Sequence, residues 1–217
     1  MSPPVKPYLP AGRGEDPLSG REFWIMDNHN YALYARYVEA MKRKSDKAAN
    51  KRFNDSTFRH FDAPTVLHID AHADLDQPLQ DLSPLLKGDP TQWEGDMQEK
   101  MRTYTTECTT VGSFIQPALE SGLISDCIQI RSYYTLENLI SSLSSTESSS
   151  SFILDIDLDF RAHEVFIPDH HLTIIQKIIS SLASTSSLSS LTIATSPYFL
   201  DQHKAMKFLQ QLKPVLQ

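Results

Sequence analysis

Short apolar runs and longer stretches of helical spacing alternate along the 217-residue chain. REFWIMD reads as a short buried strand, and the segment from about Asn30 to Lys47 reads as a helix with Leu33, Tyr37, Val38 and Met41 on one side. PTVLHID is a second strand, bounded by Pro64. From residue 75 to about 108 the spacing is mixed, and Pro78, Pro84, Gly88, Pro90 and Gly95 interrupt any long element, which predicts an elaborated loop over a site. A helix from about Ser113 to Ser121 stops at Gly122, and a strand around CIQIRSYY and a helix over TLENLISSL follow. FILDID and LTIATS are further strands. His170 to about Ser181 is an apolar-faced helix with Asp169 at its N-cap, and a helix from about Gln202 to Leu212 closes the chain. The serine-rich stretches SSLSSTESSSS and SSLASTSSLSS read as flexible connections, and residues 1–20, rich in Pro and Gly, as a loose arm before a single domain over 21–217.

Apolar, β-branched strands separated by helices predict an α/β fold: three layers, α/β/α, around a mainly parallel sheet covered on both faces. In such sheets ligands bind beyond the carboxyl ends of the strands. Two acidic clusters fall at those ends. Asp70, His72 and Asp74 follow one apolar run, and Asp155, Asp157 and Asp159 end another. Residues two apart on a strand share a face, so each cluster should present its donors together. Aspartate is disfavoured in strands, and this much negative charge is costly in a low dielectric unless a cation neutralises it. Two hard divalent cations would do so. A third rim position lies at Asp27 to His29, which makes His29 a further candidate ligand. The plain reading of the same residues is an acidic rim with ordinary caps and hydrogen bonds.

Composition narrows the class. A net charge of −7 and a pI near 5.6 argue against a general grip on nucleic acid. No run approaches the roughly 20 apolar residues of a membrane span, and the first residues lack a signal peptide's apolar core, so the expected address is cytoplasmic, with no membrane partner. Cys108 and Cys127 form neither a CxxC pair nor a disulfide framework and read as reduced and structural. Carboxylate and imidazole donors without thiolate favour manganese or a similarly hard ion over structural zinc.

The string DAHAD is similar to the DAHxD signature of the arginase and agmatinase (ureohydrolase) superfamily, and IDLD to its later DxD motif. The order FWIMDNHNYALY, LHIDAHADL, GSFIQPALESG, ILDIDLDF and LTIATSP resembles most a branch of that superfamily that includes peptide arginases, over about residues 21–200. The resemblance implies an arginase/deacetylase-like fold and a dimanganese centre. It makes His29 and Asp74 terminal ligands of one metal, His72 a terminal ligand of the other, and Asp70 a bridge. Asp157 would also bridge and Asp159 complete the second metal, with Asp155 and Asp27 behind the ligands; a register shifted by two residues is the alternative. Metals about 3.5–4 Å apart would activate water for attack on an electrophilic carbon. A guanidinium would then yield urea and an amine, with His163, and Glu164 beside it, as candidate proton donors. Where free-arginine enzymes carry a substrate-gripping glutamate this chain has Ser196 and Pro197, so substrate recognition does not carry over; the chain is also shorter than typical arginases, and an open mouth would favour an arginine side chain on a peptide or protein. The same centre acting on an amide, deacetylase-like, and a non-catalytic binding module are the alternatives. Superfamily enzymes often assemble, so a homo-oligomer is compatible with this reading.

Other residues read more plainly. His68 shares the face of His72 but lies deeper, as a satisfied core histidine. His60, His170, His171 and His203 read as surface or helix-terminal. The basic stretch Arg36, Lys42, Arg43, Lys44, Lys47, Lys51 and Arg52 reads as a solvated helix face, or as a groove for an acidic peptide.

Overall fold

A computed structural model describes residues 22–49, 63–82, 84–86, 96–143, 151–161, 169–184 and 188–216. Its elements are β1 (Glu22–Met26), α1 (Tyr31–Ala49), β2 (Thr65–Ile69), α2 (Met97–Glu107), α3 (Ile115–Glu120), β3 (Asp126–Ile130), α4 (Tyr133–Leu143), β4 (Phe152–Asp157), α5 (Asp169–Ser184), β5 (Leu188–Ala194) and α6 (Gln202–Leu216). The five strands form one parallel sheet in the order β1-β5-β4-β2-β3. The three-layer α/β/α fold expected from the strand and helix alternation is therefore present.

Strand alternation sorts the side chains into two layers. Leu67, Ile69, Leu154, Ile156, Leu191 and Ile193 point to one face, where they meet Leu136 of α4, Ile175, Ile178 and Ile179 of α5 and Phe208 and Leu212 of α6 in one buried core. Each such side chain taken from water contributes about 1.5–3 kcal/mol. Val66, Ile153, Ala194 and Met26 point the other way, against Leu33 and Tyr37 of α1, Met101 and Tyr104 of α2 and Phe114, Ile115 and Ala118 around α3. On this second face the sheet also carries His68 and Asp155. The polar rows thus lie under α1, not in the more apolar layer.

The sequence pattern and the structure part at several places, one of them the strand read around CIQIRSYY, which ends at Ile130 and gives Tyr133 and Tyr134 to α4. α2 falls inside the stretch read as loop, since Met101, Tyr104 and Thr105 alone are its buried residues and, Met97 apart, the rest is polar. The helix-breaking residues that obscured it all precede Asp96. The tract SSLASTSSLSS is not merely a connection, because Ser180–Ser184 close α5 and Leu188–Ser190 open β5, where buried Leu188 and Ser190 join the sheet. α6 runs on to Leu216, past Pro214. Gly122 does end α3, with the left-handed φ of 72° that a glycine adopts without strain. Among the described residues no helix is long and apolar enough to cross a membrane. Residues 1–20, like Lys51, Arg52, His60, His163 and Glu164, lie outside the described residues.

Candidate metal centre

One register row of the sheet builds the foundation of the site. His68 of β2 pairs with Asp155 of β4, and Asp155 with Thr192 of β5. All three are buried. Thr192 Oγ1 donates a short hydrogen bond to Asp155 Oδ1. Asp155 Oδ2 bonds His68 Nδ1 at 2.9 Å and His29 Nε2 at 3.0 Å, and pairs with Arg36 Nη2 at 3.0 Å. Burial opposes the charge on Asp155, but the neighbouring His29 and Arg36 outweigh it and hold the carboxyl well below its ordinary range.

The next row carries the donors themselves. β2 ends at Ile69, so Asp70 stands just beyond it, its N–H donating to Ile130 O at 3.3 Å. His29 arrives from β1, two strands away from β4, because the β1–α1–β2 connection must cross over β5 and β4 and starts with the turn at His29 and Asn30. Asn30 Nδ2 donates to Thr105 O at 2.8 Å and ties that turn to α2. The His29 ring packs on Phe114, centroids 4.6 Å apart. Its Nδ1 then lies 3.0 Å from Asp70 Oδ2, 3.1 Å from Asp157 Oδ2 and 3.3 Å from Asp74 Oδ2. Burial disfavours an imidazolium there, yet Asp155, Asp157 and Asp70 together raise the His29 pKa well above its ordinary value. Three carboxylates converge on one nitrogen.

A second group lies beside the first. His72 Nδ1 is 3.4 Å from Asp70 Oδ1 and 3.2 Å from Asp159 Oδ2. The His72 side chain is 44% exposed, whereas Asp70 and Asp159 are buried. Its ring faces Phe199 at 5.3 Å, and Phe199 and Tyr198 are themselves 50% and 71% exposed. The site therefore opens on the His72 side.

All six residues expected as ligands, His29, Asp70, His72, Asp74, Asp157 and Asp159, meet at the carboxyl edge of the sheet, though not by strand alternation alone. Residues 70–74 have left the strand, and Asp74 turns back through a left-handed φ of 52°. That turn is clamped from outside: Gln129 Nε2 donates to Ala73 O, Arg131 Nη2 to Ala71 O, and the Ile115 N–H to Asp74 O. Asp155 and Asp157 do share a strand face, but Asp159 reaches the site through the 3-10 turn Leu158–Arg161, its N–H donating to Asp157 Oδ1 at 2.8 Å. Asp155 sits on the ring nitrogen of His29 opposite the one that faces Asp70. Asp27 instead accepts from Thr195 Oγ1 at 3.1 Å and joins the ends of β1 and β5.

Two further residues stand differently from the sequence reading. Arg36 is buried, not on a solvated face; it lies seven residues beyond His29 and three beyond Leu33, a spacing that places it on the inner side of α1. His68 is in the core but only half satisfied: its Nε2 is buried without a hydrogen-bond partner. Ser196, at a φ of 46°, donates a short hydrogen bond from Oγ to Asp157 Oδ2.

The buried donor set could hold a metal ion. Both Asp159 carboxylate oxygens are buried without a hydrogen-bond donor, and burial, then the charges of Asp157 and Asp70, push its pKa up to about 8. Among the described residues, ligand atoms of His29, His68 and Asp155, of His29, Asp70 and Asp157, of His68, Asp70 and Asp74, and of Asp70, His72 and Asp159 lie within 4.8 Å of one another in each group. Asp70 belongs to three of the four. Free Cys108 and Cys127 stand outside these groups. No known protein-family profile matches the chain, and no curated protein is detectably related to it.

Proposed function

We propose that the chain is a dinuclear, metal-dependent hydrolase of C–N bonds, acting on the guanidinium of an arginine side chain in a peptide or protein to give ornithine and urea. The observation that carries this reading is the sharing of Asp70. One oxygen lies 3.0 Å from His29 Nδ1 and the other 3.4 Å from His72 Nδ1, so a single carboxylate stands between two donor groups. His29, Asp70, Asp74 and Asp157 would hold one ion, and Asp70, His72, Asp157 and Asp159 the other. Oxygen and imidazole donors suit manganese. Such a pair supplies Lewis acidity and activates water near neutral pH.

The chain's own groups do the rest. Ser196 and the Asp159 N–H hold the two Asp157 oxygens, and the His72 N–H holds Asp70 Oδ1 at 2.6 Å, so both shared carboxylates are oriented in advance. The acidic rim attracts a guanidinium, and the exposed side at His72 and Phe199 admits a side chain carried on a larger molecule. His163, with Glu164 next to it, is assigned the proton for the departing amine. A deacetylase-like amide hydrolysis is the second reading, favoured by the position of Ser196, engaged on Asp157 where the arginase pattern has a glutamate.

Manganese-loaded protein incubated with arginine-containing peptides should release urea and leave an ornithine-containing product by mass spectrometry. Asp70→Asn and Asp157→Asn should lose metal and reduce urea to background. Acetate from an acetylated peptide without urea would select the second reading, and a purified chain that takes up no manganese would overturn both.

A further inference from the structure

The two histidines that meet at Asp155 are used alike. His29 spends Nε2 on Asp155 Oδ2 and turns Nδ1 toward Asp70, Asp74 and Asp157. His68 spends Nδ1 on the same oxygen and turns Nε2 toward Asp70 Oδ2 at 3.4 Å and Asp74 Oδ2 at 3.7 Å. The rings are stacked, 29° apart with centroids at 5.2 Å. We propose that His68 is itself a metal ligand through Nε2, an additional donor to the ion held by His29, Asp70, Asp74 and Asp157.

Asp155, ion-paired with Arg36, is an ionised acceptor, so the His68 nitrogen beside it carries the hydrogen and the opposite nitrogen carries a lone pair. Metal-binding histidines are oriented in this way, by a carboxylate on the nitrogen that does not ligate. In His68 the remaining nitrogen is fully buried, has no hydrogen-bond partner, and faces the side-chain oxygens of Asp70 and Asp74. Lone pair against carboxylate is repulsive in a dry interior, and a cation between them converts the same contacts into ligation. A plain core histidine satisfied by Asp155 would have no reason to aim its second nitrogen at Asp70 and Asp74. His68 reaches the rim from one pleat deeper because its ring spans the distance that Asp70 covers with a short side chain.

This inference rests on the dinuclear reading above, and the test separates the two. Crystals of the full chain grown with manganese, with anomalous scattering data, should place an ion within bonding distance of His68 Nε2. His68→Asn should bind one of the two manganese ions ~100-fold or more weakly by titration, beyond the loss typical of an outer residue. Two ions bound with neither in contact with His68, or unchanged affinity in the variant, would overturn this proposal and leave the dinuclear reading standing. Wild-type protein that binds no manganese would overturn both. The crystallographic arm needs no variant, so misfolding of His68→Asn does not leave the question open.

Discussion

Arg36 Nη2 lies 3.0 Å from Asp155 Oδ2, and both side chains are buried, 1% and 0% exposed. With His29, the larger contributor, the guanidinium, which also lies over the Phe114 ring at 5.8 Å, holds Asp155 in its ionised form. Removing one partner of such a pair leaves an uncompensated charge in the interior. Arg36→Met should destabilise the chain by about 3–5 kcal/mol in urea unfolding. Combining it with Asp155→Asn should return a sizeable part of that loss, as a double-mutant cycle would reveal. If Arg36→Met costs under about 1 kcal/mol, the pair does not hold the site's foundation.

Ser196 should matter to metal more than to the fold. Its left-handed φ of 46° is an uncommon conformation for a residue with a Cβ, and the geometry aims Oγ at Asp157 Oδ2. Ser196→Ala keeps the backbone and removes that bond. Manganese affinity should fall about 10–100-fold with the metal content at saturation unchanged, measured by titration calorimetry. Unaltered affinity would show that Asp157 needs no such support.

The chelator-treated protein should lose stability as pH rises. Asp159 titrates near 8 in the fold against an ordinary 3.8, and His29 is raised well above 6.5, so the folded chain retains protons that the unfolded chain releases. Stability from both is fully present below the unfolded values and declines as pH climbs through the folded ones: from about 4 to 8 for Asp159, and above 6.5 for His29. Asp70 and Asp155, both lowered, act in the opposite sense but only below 3.8. Between pH 6 and 8 the melting temperature in chelator should therefore drop by a few degrees, and added manganese should raise it more at pH 8 than at pH 6. A flat or rising profile in chelator would contradict the assignment.

Phe199 tests whether a larger substrate lies on the open side. Its ring is half exposed and faces His72 at 5.3 Å, so little of the fold depends on it. Phe199→Ala should change stability by no more than about 0.5 kcal/mol. It should raise KM for an arginine peptide with kcat unchanged. Equal kinetics in wild type and variant would mean that this ring does not meet the substrate.

Local chemistry is enough to place most of the architecture and the candidate donors. Apolar runs of strand length separated by helical spacing specify a parallel sheet covered on both faces, and an aspartate at a strand's carboxyl end belongs at the rim whatever lies across from it. Six donors named from two short motifs and one turn do assemble there. Alternation along a chain, however, says nothing about depth or about neighbours in the sheet. The strand order β1-β5-β4-β2-β3 sets Asp155 between His68 and Thr192 and carries His29 across β5 to reach it. Packing against that face turned Arg36 from one basic residue among several into the buried partner of Asp155. It also left the second nitrogen of His68 facing two carboxylates. Those relationships join residues as far apart as 126 positions, and long-range contacts of that kind exist only once the layers have closed.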